Sequence, residues 1–146
     1  MNDFYGLFRK GIELFEAELY WEAIDCFKTI TSLHPEEPLL DDVYVNIAVC
    51  YMHLNLFEEA HEWFVPVYEQ KVGDGRFEDG GNNVGTTRAR AALGLIRISL
   101  AQENMDKAES FLLELENDKS GFVSEDGITT FLEVAQDEMA LFEKKY

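Results

Sequence analysis

Ala23, Phe27 and Pro35 constrain this chain more than any other residues. Residues four apart share a helix face, so the small Ala23 lets a second helix approach closely and Phe27, one turn along, fills the gap between them. Pro35 cannot continue the helix, because it lacks an N–H and crowds the preceding turn. The pair returns at Ala60 and Phe64, and again at Ala108 with Leu112 in the aromatic's place. A two-helix unit cannot bury its apolar face alone, so the spacing predicts units stacked side by side.

The rest of the chain supplies partners for these helices. Phe4, Leu7, Phe8, Gly11, Ile12, Leu14 and Phe15 recur at helical spacing, and Gly11 marks a position where the next helix packs close. A helix opening at Glu36-Glu37-Pro38 carries Val43, Tyr44, Ile47, Ala48 and Tyr51, and Asn55 with Glu58 predicts a capped start for the next one. Pro66 is expected to kink or shorten that helix. From Val72 to Thr86 periodicity gives way to a loop of turn residues holding half of the ten glycines. Its acids and asparagines lack the alternating spacing and closing glutamate of a calcium loop. Helical spacing resumes with Ala89, Ala92, Leu93, Leu95, Ile96 and Leu100. A last helix is expected from about Gly127, with Ile128, Phe131, Leu132, Ala135, Met139 and Phe142 on one stripe and a wet outer face.

With 47% hydrophobic residues in 146, the chain can bury one sizeable core. Its formal charge of −17 argues against nucleic acid or an anionic membrane as the main partner. It has no apolar run of the roughly 20 residues that span a bilayer and no signal-peptide pattern at its start, so the expectation is a soluble, cytoplasmic protein. Two cysteines fit a reducing compartment.

Taken together, Gly11, Ala23, Phe27 and Pro35, then Ala48, Tyr51, Ala60 and Phe64, then Leu95 and Ala108, resemble the tetratricopeptide (TPR) repeat family over about residues 4 to 116. The resemblance implies an all-α fold: a right-handed superhelical solenoid of three helix-turn-helix repeats with a C-terminal capping helix. Repeat one would span about 3–35, repeat two about 38–71, the glycine-rich loop 72–86, repeat three about 87–117 and the capping helix about 125–144. First helices would line a concave groove that takes a peptide or helix of a partner. Carried onto this chain, the wall is Tyr5, Phe8, Arg9 and Ile12; Asp42, Val45, Asn46, Val49, Met52 and His53; and Arg90, Leu93 and Arg97. An open wall of this kind would be a contiguous apolar patch. The alternative is that the last helix folds back over it.

Charge is segregated along the chain. No Asp or Glu lies between Asp79 and Glu103, where Arg88, Arg90 and Arg97 stand. Arg90 and Arg97 share a helix face with Gly94 between them, and arginine forks suit carboxylates. Some TPR domains hold a partner's C-terminal carboxylate with Lys, Asn and Arg, and Asn46 and Arg90 stand at places like two of these, whereas Phe8 and Ile12 replace the others. The expectation is an anion-holding corner beside an apolar trough; the competing one is that the arginines pair with acids of neighbouring helices, such as Asp42.

Catalytic and metal constellations are missing. Glu58 with His61 is a single Glu-x-x-His, where carboxylate di-iron sites need two and further glutamates. Cys50, His53 and Cys26 lack the tight spacings of zinc ligands. No enzyme activity and no cofactor are expected. The reading is a non-catalytic protein–protein interaction scaffold, and its size and acidity resemble bacterial secretion chaperones or adaptors. The alternative is an acidic inhibitor or immunity-type protein that covers a basic enzyme, a complex that salt would weaken steeply. Whether the chain is a monomer or dimer stays open.

Overall fold

The computed structural model describes residues 3–76 and 83–145; residues 77–82 of the expected loop lie outside them. Within these residues the chain is mostly helical. Three pairs, α1 (Phe4–Glu16) with α2 (Tyr20–Leu33), α3 (Leu40–His53) with α4 (Phe57–Tyr68), and α5 (Thr87–Ala101) with α6 (Met105–Leu113), are followed by α7 (Phe131–Lys145). Each pair packs internally; α2 then packs on α3, and α4 on α5. Ala23, Ala60 and Ala108 are fully buried at these seams, with Phe27 and Phe64 beside them. A Cβ on Gly11 would stand 2.7 Å from Phe27 Cζ, which is why that helix position is a glycine.

One turn is used four times. Glu18, Asn55, Gln70 and Glu103 adopt φ of 62°, 60°, 58° and 57° just past the ends of α1, α3, α4 and α5. In each, the next residue's N–H reaches back to the last turn: Leu19 to Leu14 O, Leu56 to Tyr51 O, Lys71 to Pro66 O, Asn104 to Ser99 O, at 2.8–2.9 Å. This bonding satisfies carbonyls that a helix end leaves orphaned. Asn55 therefore closes α3, and the expected asparagine cap on α4 is not made; Leu56 holds that place with no side-chain bond. Asparagine tolerates the left-handed region, so its side chain was the wrong part to read. Pro38 falls in a turn ahead of α3, and Pro66 lies inside α4, which at twelve residues is shorter than the fourteen of α2 and α3.

The chain is mostly helical, as the all-α expectation has it, and three short strands that the expectation did not include form a small sheet. β1 (Asn83–Val84), β2 (Gly121–Ser124) and β3 (Gly127–Thr130) pair antiparallel in that order, with Phe122 opposite both Asn83 and Thr129. Residues 127–130, expected to open the last helix, are thus a strand, and α7 starts at Phe131. Val123, Ile128, Thr129 and Thr130 are β-branched and flank Asp126-Gly127, a hairpin signal that the helical stripe masked. The described ends of the glycine-rich loop are held more firmly than expected. Asp41, fully buried, accepts from Gly75 N at 2.9 Å and from the Thr87 hydroxyl, and Asp74 N donates to Pro38 O at 2.8 Å. On the other side Thr86 N donates to Ser120 Oγ at 3.0 Å.

Helix α5 joins two cores. Ala91, Leu95 and Ile98 belong with α1–α4, whereas Ala89, Ala92, Leu93 and Ile96 belong with Ala108, Leu115, Phe131, Ala135 and Met139. Three polar residues of α5, Thr87, Arg90 and Ser99, are buried, and Arg90 is the charged one, on which the candidate site is built.

Candidate functional site

Between α3 and α5 lies a cleft of about 240 Å³, lined by Val49, Met52 and His53 of α3, Phe64 of α4, and Arg90, Gly94 and Arg97 of α5. Gly94 brings α4 close: a Cβ there would stand 2.7 Å from Phe64 Cε1. The arginines fall on one face because they are two turns apart.

Arg90 is 9% exposed, and its Nη1 is buried with no hydrogen-bond partner among the described residues. Burial, reinforced by nearby Arg97 and opposed by Glu138, lowers its pKa to about 10. It remains a cation at neutral pH, because arginine loses its proton only well above that. A buried charge without partners is costly, and such groups pair or coordinate wherever they can.

The other two arginines are satisfied. Arg97 donates Nε and Nη2 to the Glu138 carboxylate at 2.8–3.0 Å, a fork from α5 to α7. Arg88 donates Nε to Tyr68 O at 2.9 Å, lies over the Tyr68 ring and pairs with Glu114 at 3.3 Å. Pairing with acids of neighbouring helices thus describes Arg88 and Arg97, with Glu114 and Glu138 as the acids rather than Asp42.

The remaining expected wall residues scatter. Phe8, Val45 and Leu93 are core residues at 8%, 4% and 0% exposure, so they form no open wall. Phe8 packs on Phe4 and Phe27, and Leu93 lies in the cluster beneath α7. The physical reason is that these positions face the seams between helices, where an apolar side chain gains most from burial. Tyr5 and Arg9 are exposed and Ile12 half-buried on α1, outside the cleft. Asn46 turns back along its own helix, its Nδ2 donating to Asp42 O at 2.8 Å and Oδ1 at 3.3 Å. His53 stacks on Tyr20 at 4.7 Å between centroids, with Phe15 edge-on at 5.4 Å. The tail does fold back in part: α7 packs chiefly on α5, covers Leu93 and takes Arg97, but leaves the α3 side of the cleft open.

The thiols are chemically quiet. Burial pushes Cys50 up to about 12 and also raises Cys26, whose Sγ donates to Leu7 O at 3.3 Å. A reactive thiol needs the opposite shift. Among the described residues no group of three or more His, Cys, Asp or Glu is placed to hold a metal, and no helix is long and apolar enough to cross a membrane.

No family model and no curated protein matches the chain. Among solved structures, one from a functional characterisation of PilF of Pseudomonas aeruginosa is similar at 20% identity, with a TM-score of 0.42 over 90% of this chain. The chain spans 65% of that structure's length. A likeness that loose fixes neither the fold nor the function of this protein.

Proposed function

We propose that this protein is a non-catalytic protein–protein interaction scaffold of TPR type, whose three helical pairs stack as repeats, and that its cleft between α3 and α5 seats an acid-bearing segment of a partner. The observation that carries this reading is that Arg90 lines the cleft and that its buried Nη1 lacks a hydrogen-bond partner among the described residues. A carboxylate there would supply the missing acceptor, while the half-buried Val49 and Met52 offer apolar contact beside it. Chain-wide acidity opposes an acidic partner, but at physiological salt that repulsion is screened beyond about 8 Å, whereas a desolvated bond to Arg90 is screened much less. Within this class, the size and acidity fit a chaperone or adaptor that keeps a partner segment soluble, as in bacterial secretion-type systems.

The test uses two blocked tripeptides, acetyl-Leu-Glu-Leu-amide and its Gln counterpart, titrated into isotope-labelled protein and followed by NMR. The acid form is expected to shift the amides of Val49, Met52, Gly94 and their neighbours, the Gln form to shift them far less, and Arg90→Met to abolish the response. Equal responses to both peptides, no response, or shifts that fall elsewhere would overturn the reading.

A further inference from the structure

A second surface lies at the other end of the molecule, between α6 and α7. In the first two pairs the second helix has a neighbour seated along it: α3 on α2, and α5 on α4. On α6 the corresponding seat is only half taken, because α7 leans onto α5 and touches α6 lightly. What remains is a groove of about 660 Å³ with Leu112, Leu113, Met139 and Ala140 along it and Asp106, Glu109 and Glu143 at its edges. Leu113 is 66% exposed, and its place beside Leu112, Met139 and Ala140 makes it part of a contiguous apolar surface, the kind that marks an interaction site, where a lone exposed leucine would not.

Three properties of the groove specify its occupant. The seat is one that this chain fills with a helix twice, so a helix fits it in shape. The nine residues of α6 make it about 13 Å long, which an occupant of roughly three turns would match. Its rim is acidic: no Lys or Arg lines it, and none of its three carboxylates is in an ion pair among the described residues. A second copy of the chain would bring acid against acid at a formal charge of −17 each. We infer that the α6–α7 groove is a docking site for a basic amphipathic helix of a partner protein, its apolar stripe on Leu112, Leu113 and Met139 and its lysines or arginines at Asp106, Glu109 and Glu143. This inference does not depend on the Arg90 cleft, and either can fail alone.

The experiment measures binding of three synthetic twelve-residue peptides to the full chain by fluorescence anisotropy, with NMR to locate the contact. One carries a leucine stripe flanked by lysines, the second is its scrambled form of equal charge, and the third keeps the stripe with glutamates in place of lysines. The first is expected to bind with shifts confined to α6 and α7, to weaken about tenfold from low to high salt, and to weaken about tenfold in Leu113→Ser. In the double variant Glu109→Lys with Glu143→Lys, binding should be lost with an unchanged melting temperature, since both side chains are exposed. Equal binding by the scrambled peptide would reduce the effect to unspecific charge and overturn the inference. So would shifts on other helices, equal binding by the acidic peptide, no binding, or self-association of the free chain that Leu113→Ser abolishes.

Discussion

Arg90→Met is expected to make the unliganded protein more stable while removing its capacity to hold an anion. The guanidinium is 9% exposed and its Nη1 has no acceptor among the described residues. Its pKa, lowered to about 10, corresponds to about 3 kcal/mol held against the charged form at the usual 1.4 kcal/mol per pH unit. Methionine keeps most of the aliphatic stem and fills irregular space, so little packing is lost. Some of the gain is offset by the thinner side chain, leaving about 1–3 kcal/mol, or a rise in Tm of several degrees at roughly 3 °C per kcal/mol for a chain of this size. The pH dependence separates this cause from better packing. An arginine whose folded pKa is depressed binds its proton less tightly in the fold, so its penalty is complete at neutral pH and fades as pH rises through about 10 toward the unfolded value. The stability difference between variant and parent, measured by urea unfolding, should thus be largest near pH 7 and shrink above pH 10. An unchanged or lowered stability at neutral pH would mean that Arg90 has its partner within the fold, and the case for an anion site would fall with it.

Gly94→Ala should destabilise by about 2 kcal/mol or more, because its Cβ would press on the fully buried Phe64 ring, and Gly11→Ala should do likewise against Phe27; urea unfolding reads both. Asp41→Asn should leave stability at pH 7 unchanged or higher, since burial raises the Asp41 pKa and its Oδ1 is orphaned. The sign is that of an acid with a raised folded pKa: the protein loses stability as pH climbs from the ordinary carboxylate range through the folded value, and the Asn variant should show a flatter profile there. Deleting residues 74–83 should cost more than loop closure alone, because it removes the Gly75 and Asp74 bonds and half of β1; a Tm within a degree or so of the parent would refute the pinning.

How much of this was legible depends on which force set each feature. The helical pairs follow from apolar spacing, and Ala23, Ala60 and Ala108 located the seams because close approach excludes larger side chains. The sheet was hidden because Ile128, Phe131 and Ala135 continue one helical stripe across a boundary that Gly127 and the β-branched threonines set locally. Arg88, Arg90 and Arg97 stand out in the acid-free stretch around them, but nothing in their spacing tells Arg90 from Arg97. That difference rests on a single contact in space, Glu138 on α7, forty-one residues from Arg97. The acidic groove was missed for a related reason. Leu112 read as the third pair's seam residue in the aromatic's place, and only the tilt of α7 toward α5 shows the groove beside it and Leu113 left 66% exposed.

The two surfaces share one structural origin in α7. By leaning onto α5, α7 buries Leu93 and places the Glu138 carboxylate on Arg97, so that the acid whose charge favours protonated Arg90 takes its hydrogen bonds from Arg97. The same lean withdraws α7 from α6 and leaves Leu113 open. A helix set squarely between α5 and α6 would close the groove and leave Arg97 unpaired. The anchoring of α7 is therefore what both proposed surfaces require: Phe131 is fully buried against Phe122 of the sheet, with ring centroids 5.1 Å apart, and its N–H is held by Ser120 O at 2.8 Å. On this argument the small sheet acts as the bracket that fixes the entry angle of the last helix, and it supports both surfaces while belonging to neither.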